Sequence, residues 1–149
     1  MSESFKESAG RKVVSRTTAQ EAGGVTHFLV DEHKQQILSL VVGRGKKAKL
    51  VDWVDVSGFG PDAVMISDET ALRVPADDRE REAAAGKLEL VGKRTLSELG
   101  NELGPIEDVT FEVDSGALED LVVGDRHLPA HSLIATGSYA AVIDKSEDT

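Results

Sequence analysis

The sequence predicts a mainly β chain built from two small antiparallel units in tandem, joined by a short helical linker. The first observation is a hairpin pattern written twice. Residues 24–31 and 37–43 are β-rich runs around a polar turn, and Ile106, Val109, Phe111 and Val113 meet Leu118, Leu121, Val122 and Val123 across Asp114-Ser115-Gly116. The second is an internal repeat. Lys12 falls on Lys93, and Leu40-Val41-Val42-Gly43 on Leu121-Val122-Val123-Gly124, both at a displacement of 81 positions. Residues 60–66 fall on residues 137–143 at a displacement of 77, the lost positions being mostly those of a longer loop in the first half. The third is residues 76–86, which hold acidic residues, arginines, a run of alanines and a closing glycine but no large apolar side chain.

In chain order, residues 1–9 are rich in serine and glutamate and read as a flexible tail. The first unit covers residues 10–74: a short strand at Arg11-Lys12-Val13-Val14, a polar turn over 17–23, the first hairpin, a glycine-interrupted basic loop over 43–49, a strand at 50–56, turn chemistry at 57–62 and a strand at 63–66. Residues 75–87 form the charged helical linker. The second unit covers 88–144. Leu96, Leu99 and Leu103 recur at spacings of three and four, which predicts a two-turn helix over 95–104. The second hairpin, a turn at 136–138 and a strand at 139–143 follow, and residues 145–149 read as a tail.

The formal net charge of −10 is unevenly placed: residues 1–74 carry ten basic and ten acidic side chains, residues 75–149 seven and seventeen. An acidic second half repels a phosphate backbone, so nucleic-acid binding is not expected there. With no cysteine there is no disulfide framework or thiolate chemistry, which fits a reducing compartment. No run approaches the ~18 apolar residues of a membrane span, and the N-terminus lacks a signal-peptide core. A cytoplasmic location is expected.

Side-chain constellations for chemistry are weak. His127 and His131 stand four apart, but Pro129 between them disfavours a helix and no third ligand accompanies them. His27 and His33 read as ordinary strand and turn residues. Glu107-Asp108 and Glu119-Asp120 are neighbours whose side chains point to opposite faces of a strand. Ser132 lacks a nucleophile elbow. No catalytic residue, metal or cofactor is predicted. The candidate contact site is the basic cluster Gly43-Arg44-Gly45-Lys46-Lys47-Ala48-Lys49, whose Arg44, Lys46, Lys47 and Lys49 offer four positive charges on an adaptable backbone. The cluster lacks interleaved aromatic residues, so base stacking is not indicated. Trp53 and Phe59 flank the last turn of the first unit and join it as candidate partner-binding residues, Trp53 also reading as core among Val51, Val54 and Val56.

The unit resembles the PRC-barrel family, named after the photosynthetic reaction centre. The resemblance rests on Gly92-Lys93-Arg94, on Gly104-Pro105-Ile106-Glu107-Asp108-Val109 leading to Val113-Asp114, on Leu128-Pro129-Ala130, and on Gly137-Ser138-Tyr139-Ala140-Ala141-Val142-Ile143. It covers nearly the whole chain, once per half. The first half departs at Gln20-Glu21-Ala22-Gly23-Gly24 and at Leu50-Val51-Asp52-Trp53. The resemblance implies two tandem small antiparallel β-barrels and a non-enzymatic adaptor or scaffold that binds another protein. The alternatives are an RNA- or ribosome-associated maturation factor acting through the basic loop, similar to the family's ribosomal RNA maturation factor, and a peripheral membrane-complex subunit, similar to the family's cytoplasmic domain in the photosynthetic reaction centre. A homodimer or intramolecular pairing of the barrels would cover their edges.

Overall fold

The structure, a computed structural model, describes residues 1–144; the tail expected over 145–149 lies outside the described residues. In chain order the elements are β1 (Ser2–Ser4), α1 (Phe5–Ser8), β2 (Lys12–Ser15), β3 (Glu21–Asp31), β4 (Gln36–Val42), β5 (Lys49–Asp52), β6 (Val56–Phe59), β7 (Val64–Ile66), α2 (Asp78–Ala84), β8 (Arg94–Ser97), β9 (Glu102–Glu112), β10 (Leu118–Val123), β11 (Arg126–Pro129), β12 (Leu133–Thr136) and β13 (Ala141–Ile143). One sheet runs β5-β4-β3-β2-β7-β6 and the other β11-β10-β9-β8-β13-β12, with β1 added beside β9. Among the described residues neither order returns from its last strand to its first. The chain is mainly β, and each sheet is mixed rather than purely antiparallel, because β2 pairs with β7, and β8 with β13, in parallel.

The two orders are the same order. Leu40 faces Val51 as Leu121 faces Leu128, and Val42 faces Val25 as Val123 faces Ile106, so the hairpins superpose at a displacement of 81. Beyond the basic loop Val13 lies beside Val64 as Thr95 lies beside Ala141, which carries the displacement of 77 for the closing strands. The opening strand is one position off the sequence alignment: Val25 donates to the Arg11 carbonyl as Ile106 donates to that of Lys93, so Lys93 matches Arg11, not Lys12.

The halves meet about an approximate two-fold relation. Ile37 donates its N–H to the Gly116 carbonyl (2.9 Å) and Leu118 donates to that of Gln35 (2.8 Å), two bonds that exchange under the repeat. Behind them lies one continuous buried cluster drawn from both halves. Phe111, fully buried, takes Phe59 edge-on at 5.3 Å and Trp53 at 6.1 Å, with Phe5 and Phe28 tilted against it.

Three expected elements are different in the structure. Residues 1–9 are built into the fold rather than a flexible tail. β1 pairs with β9, Arg11 bridges Glu3, and Phe5, 4 % exposed, stacks on Phe28 with centroids 4.1 Å apart. Ser and Glu in this stretch serve as pairing groups: Ser4 caps α1 through Glu7 N–H, and Ser2 donates to Glu119. The leucine helix over 95–104 is instead β8, a turn and the start of β9. Ser97 Oγ accepts from the N–H groups of Leu99 and Asn101, Gly100 has φ +86, and Leu99 is 89 % exposed. A two-turn helix has too few internal bonds to repay its nucleation, whereas β8 gains ladder bonds to β13 on one side and β9 on the other.

The linker helix is also not freely exposed. Leu29, Val41 and Leu50 make the first sheet apolar on its second face, and Ala83 of α2 packs there with Leu88. Small alanines let the helix come close. The matching positions of the second sheet are Thr110, Val122 and His127, so that face remains polar. Asp77 caps α2 by accepting from Glu80 N–H, and Arg73 clamps it through Glu80 (2.6 Å) and Asp52 (2.7 Å). This guanidinium holds the Glu80 carboxyl down to about 2 and lowers that of Asp52 as well.

Candidate partner-binding surface

The basic loop is held at both ends and bare in the middle. Gly43, with φ +84, turns the chain out of β4 and donates to the Gly24 carbonyl, while the Thr26 hydroxyl donates to the Gly43 carbonyl at 2.8 Å. Gly45, at φ +66, opens a single 3-10 turn over Gly45–Lys47, and Ala48 closes it by donating to the Gly45 carbonyl and burying its methyl group against Leu29, Val41 and Leu50. Arg44, Lys46, Lys47 and Lys49 are all exposed between these anchors. None of the four makes an ion pair with a described residue, whereas Arg73 and Arg81 beside the loop each have a carboxylate.

The cations rim a groove of about 550 Å³ whose floor is Ala22, Val42 and Leu72 and whose edge is Lys46, Lys47 and Lys49. On its other side Lys46 faces a second depression of about 360 Å³ with Ala84, Ala85, Pro75 and Arg81. Ala22, Leu72 and the alanines of α2 carry no local signal in the sequence. They reach the loop only because β3, the segment after β7 and the linker helix converge there.

The second half holds the counterpart. Leu103, Val123, Gly124 and Arg126 occupy the places of Ala22, Val42, Gly43 and Lys49, around a groove of about 290 Å³. There the connection between the strands is only Gly124-Asp125, and Glu102 and Asp125 stand beside Arg126. The four additional residues of the first loop account for the drop in displacement from 81 to 77 and bring in Lys46 and Lys47.

Trp53 and Phe59 are not on this surface. They are 9 % and 8 % exposed, their rings lie 5.6 Å apart, and both face Phe111 of the second half. The 3-10 turn Trp53–Asp55 directs Trp53 inward and leaves Val54, 88 % exposed, on the outside. Gly116 provides the space: a Cβ there would lie 2.7 Å from the indole. Trp53 is thus core, as its neighbours Val51, Val54 and Val56 suggest, and the candidacy of Trp53 and Phe59 as partner-binding residues is corrected: the shared core needs these rings to join the halves.

The residues weighed for chemistry are dispersed or engaged in structure. His127 lies on β11 and His131 in the following 3-10 turn. Asp108 accepts from Lys6 N–H (3.1 Å) and Glu119 from Ser2, so both carboxylates tie down the N-terminal segment. Among the described residues no three or more His, Asp or Glu side chains gather as a metal site would require. Among the described residues no helix is long and apolar enough to cross a membrane. These features define a mainly β repeat protein with an unpaired cationic groove on one half. Comparison with protein-family models and with curated proteins returned no match.

Proposed function

We propose that this chain is a non-enzymatic adaptor, built as two tandem PRC-barrel-like units, that binds another protein through the basic loop 43–49. The single observation that carries the reading is the placement of four cations, without an ion pair among the described residues, on a chain of net charge −10, two of them, Lys46 and Lys47, brought in by an insertion that the otherwise equivalent second half lacks. Cations left unpaired beside a groove gain most from an acidic partner. The barrel-like reading is supported by the outermost strands of each sheet. β5 and β6 are joined by one 3-10 turn, as are β11 and β12, which draws the sheet edges towards each other. In this reading the protein works in the cytoplasm, and its halves pair with each other where a single unit would need a second copy.

The test is a pull-down of the tagged chain from its own cytoplasm at moderate salt, read by mass spectrometry, beside a bait carrying Lys46→Glu, Lys47→Glu and Lys49→Glu. One specific protein lost from the variant supports the adaptor and its site. Ribosomal proteins recovered in an RNase-sensitive way would replace it with a ribosome-associated role, and an unchanged set of captured proteins would remove the loop from consideration.

A further inference from the structure

We infer that the groove beside loop 43–49 takes an extended acidic peptide segment that carries aliphatic side chains, an inference that rests on the adaptor reading and names its partner chemistry. The groove has two chemistries in register. Lys46, Lys47 and Lys49 form one rim, and Ala22, Val42 and Leu72 form the floor. A carboxylate-only ligand would satisfy the rim and leave the floor against water; an aliphatic one would bury the floor and leave the ammonium groups unpaired. A segment alternating carboxylate and aliphatic side chains satisfies both, since an extended backbone sends successive side chains to opposite sides.

Other polyanions fit less well. Single-stranded RNA binds through charge together with exposed aromatic platforms. Here the tryptophan and all four phenylalanines are buried, and the single tyrosine, Tyr139, is exposed but stands on the acidic second half with Arg94 over its ring and does not line the groove. A lipid surface is broad and uniformly anionic, and it would bring the acidic second half against like charge. A short peptide touches only the cationic groove. The repeat supplies an internal comparison: the second groove keeps the apolar positions as Leu103 and Val123 but lacks the insertion that brings in Lys46 and Lys47, and Glu102 and Asp125 line it, so an acidic peptide selects the first.

The experiment is fluorescence-anisotropy titration of the full chain with a fluorescein-labelled peptide of alternating glutamate and leucine, at physiological salt. The same peptide with serine for leucine and a single-stranded oligouridylate run beside it. The variants are the triple lysine reversal, whose exposed side chains leave the fold untouched, and Ala22→Glu, which places a carboxylate in the floor. Circular dichroism and Trp53 fluorescence check that each is folded. The expected result is saturable binding of the glutamate–leucine peptide, weakened about tenfold or more by either variant. Equal affinity for the serine peptide, or no binding of either peptide, would overturn the inference while leaving the pull-down to judge the adaptor reading. Binding unaffected by the lysine reversal would place the peptide elsewhere and overturn it as well. Tighter binding of the oligouridylate would overturn both readings.

Discussion

Phe5→Ala separates a structural N-terminus from a tail more sharply than any other single substitution. The ring is 4 % exposed, stacked on Phe28 with planes 7° from parallel, and tilted against Phe111 at 5.7 Å. Truncating a buried phenylalanine to alanine costs about 3–5 kcal/mol, part of it the ~0.5–1.5 kcal/mol of each aromatic pair. The lower end, ~3 kcal/mol, applies here, because α1 is a four-residue helix at the chain end that can settle into part of the cavity. For a chain of this length that corresponds to a fall in Tm of roughly 6–12 °C. Urea unfolding followed by Trp53 fluorescence measures it, with Lys6→Ala on the exposed side of α1 expected within about 0.5 kcal/mol of the parent. If Phe5→Ala also changed stability by less than ~0.5 kcal/mol, residues 1–9 would be the tail their composition suggests, and the shared aromatic core would be wrong.

Two other substitutions probe the joint between the halves and the clamp on the linker. Gly116→Ala puts a Cβ 2.7 Å from Trp53 at φ +76 and is expected to cost about 2–4 kcal/mol, while Gly124→Ala, with φ +61 and nothing within 4 Å, costs only the ~1–2 kcal/mol of the left-handed backbone. Equal losses in thermal unfolding would contradict the packing of Trp53 on the second half. Glu80 is depressed to about 2 in the folded state from an ordinary value of 4.5, so its contribution is complete above about pH 5 and lost as pH falls towards 2. Glu80→Gln should therefore lower stability by ~2 kcal/mol at pH 7, with the two proteins converging near pH 2. A difference independent of pH in urea titrations would show that the Arg73 pair is not its source.

The repeat was legible because it is written in strand cores. Leu40-Val41-Val42 and Leu121-Val122-Val123 keep their place in the ladder, and an insertion in the loop between strands leaves that register intact. What failed were segments whose structure is decided by distant partners. Phe5 is one aromatic in a polar stretch, and its burial depends on Phe28 and Phe111 lying where β1 can reach β9. Leu96, Leu99 and Leu103 have helical spacing, yet β8 is held between two strands, one of them more than forty residues away. Ala83 carries no periodic signal, and the apolar run Leu40-Val41-Val42 does not announce its helix either, since the same run at Leu121-Val122-Val123 lies in a sheet whose matching face holds Thr110 and His127. The lysines of the candidate site were legible as charge alone. The floor beneath them was not, because Ala22 and Leu72 meet Val42 only in the folded chain.

Hydrogen–deuterium exchange of the full chain, alone and saturated with the partner captured in the pull-down, tests the central claim most directly. New protection is expected over residues 43–49 and in the backbone flanking Ala22 and Leu72, with the matching residues 124–126 and 103 unchanged. Protection centred on the second-half groove, or on the polar outer face of β9 and β10, with loop 43–49 exchanging as in the free protein, would contradict it.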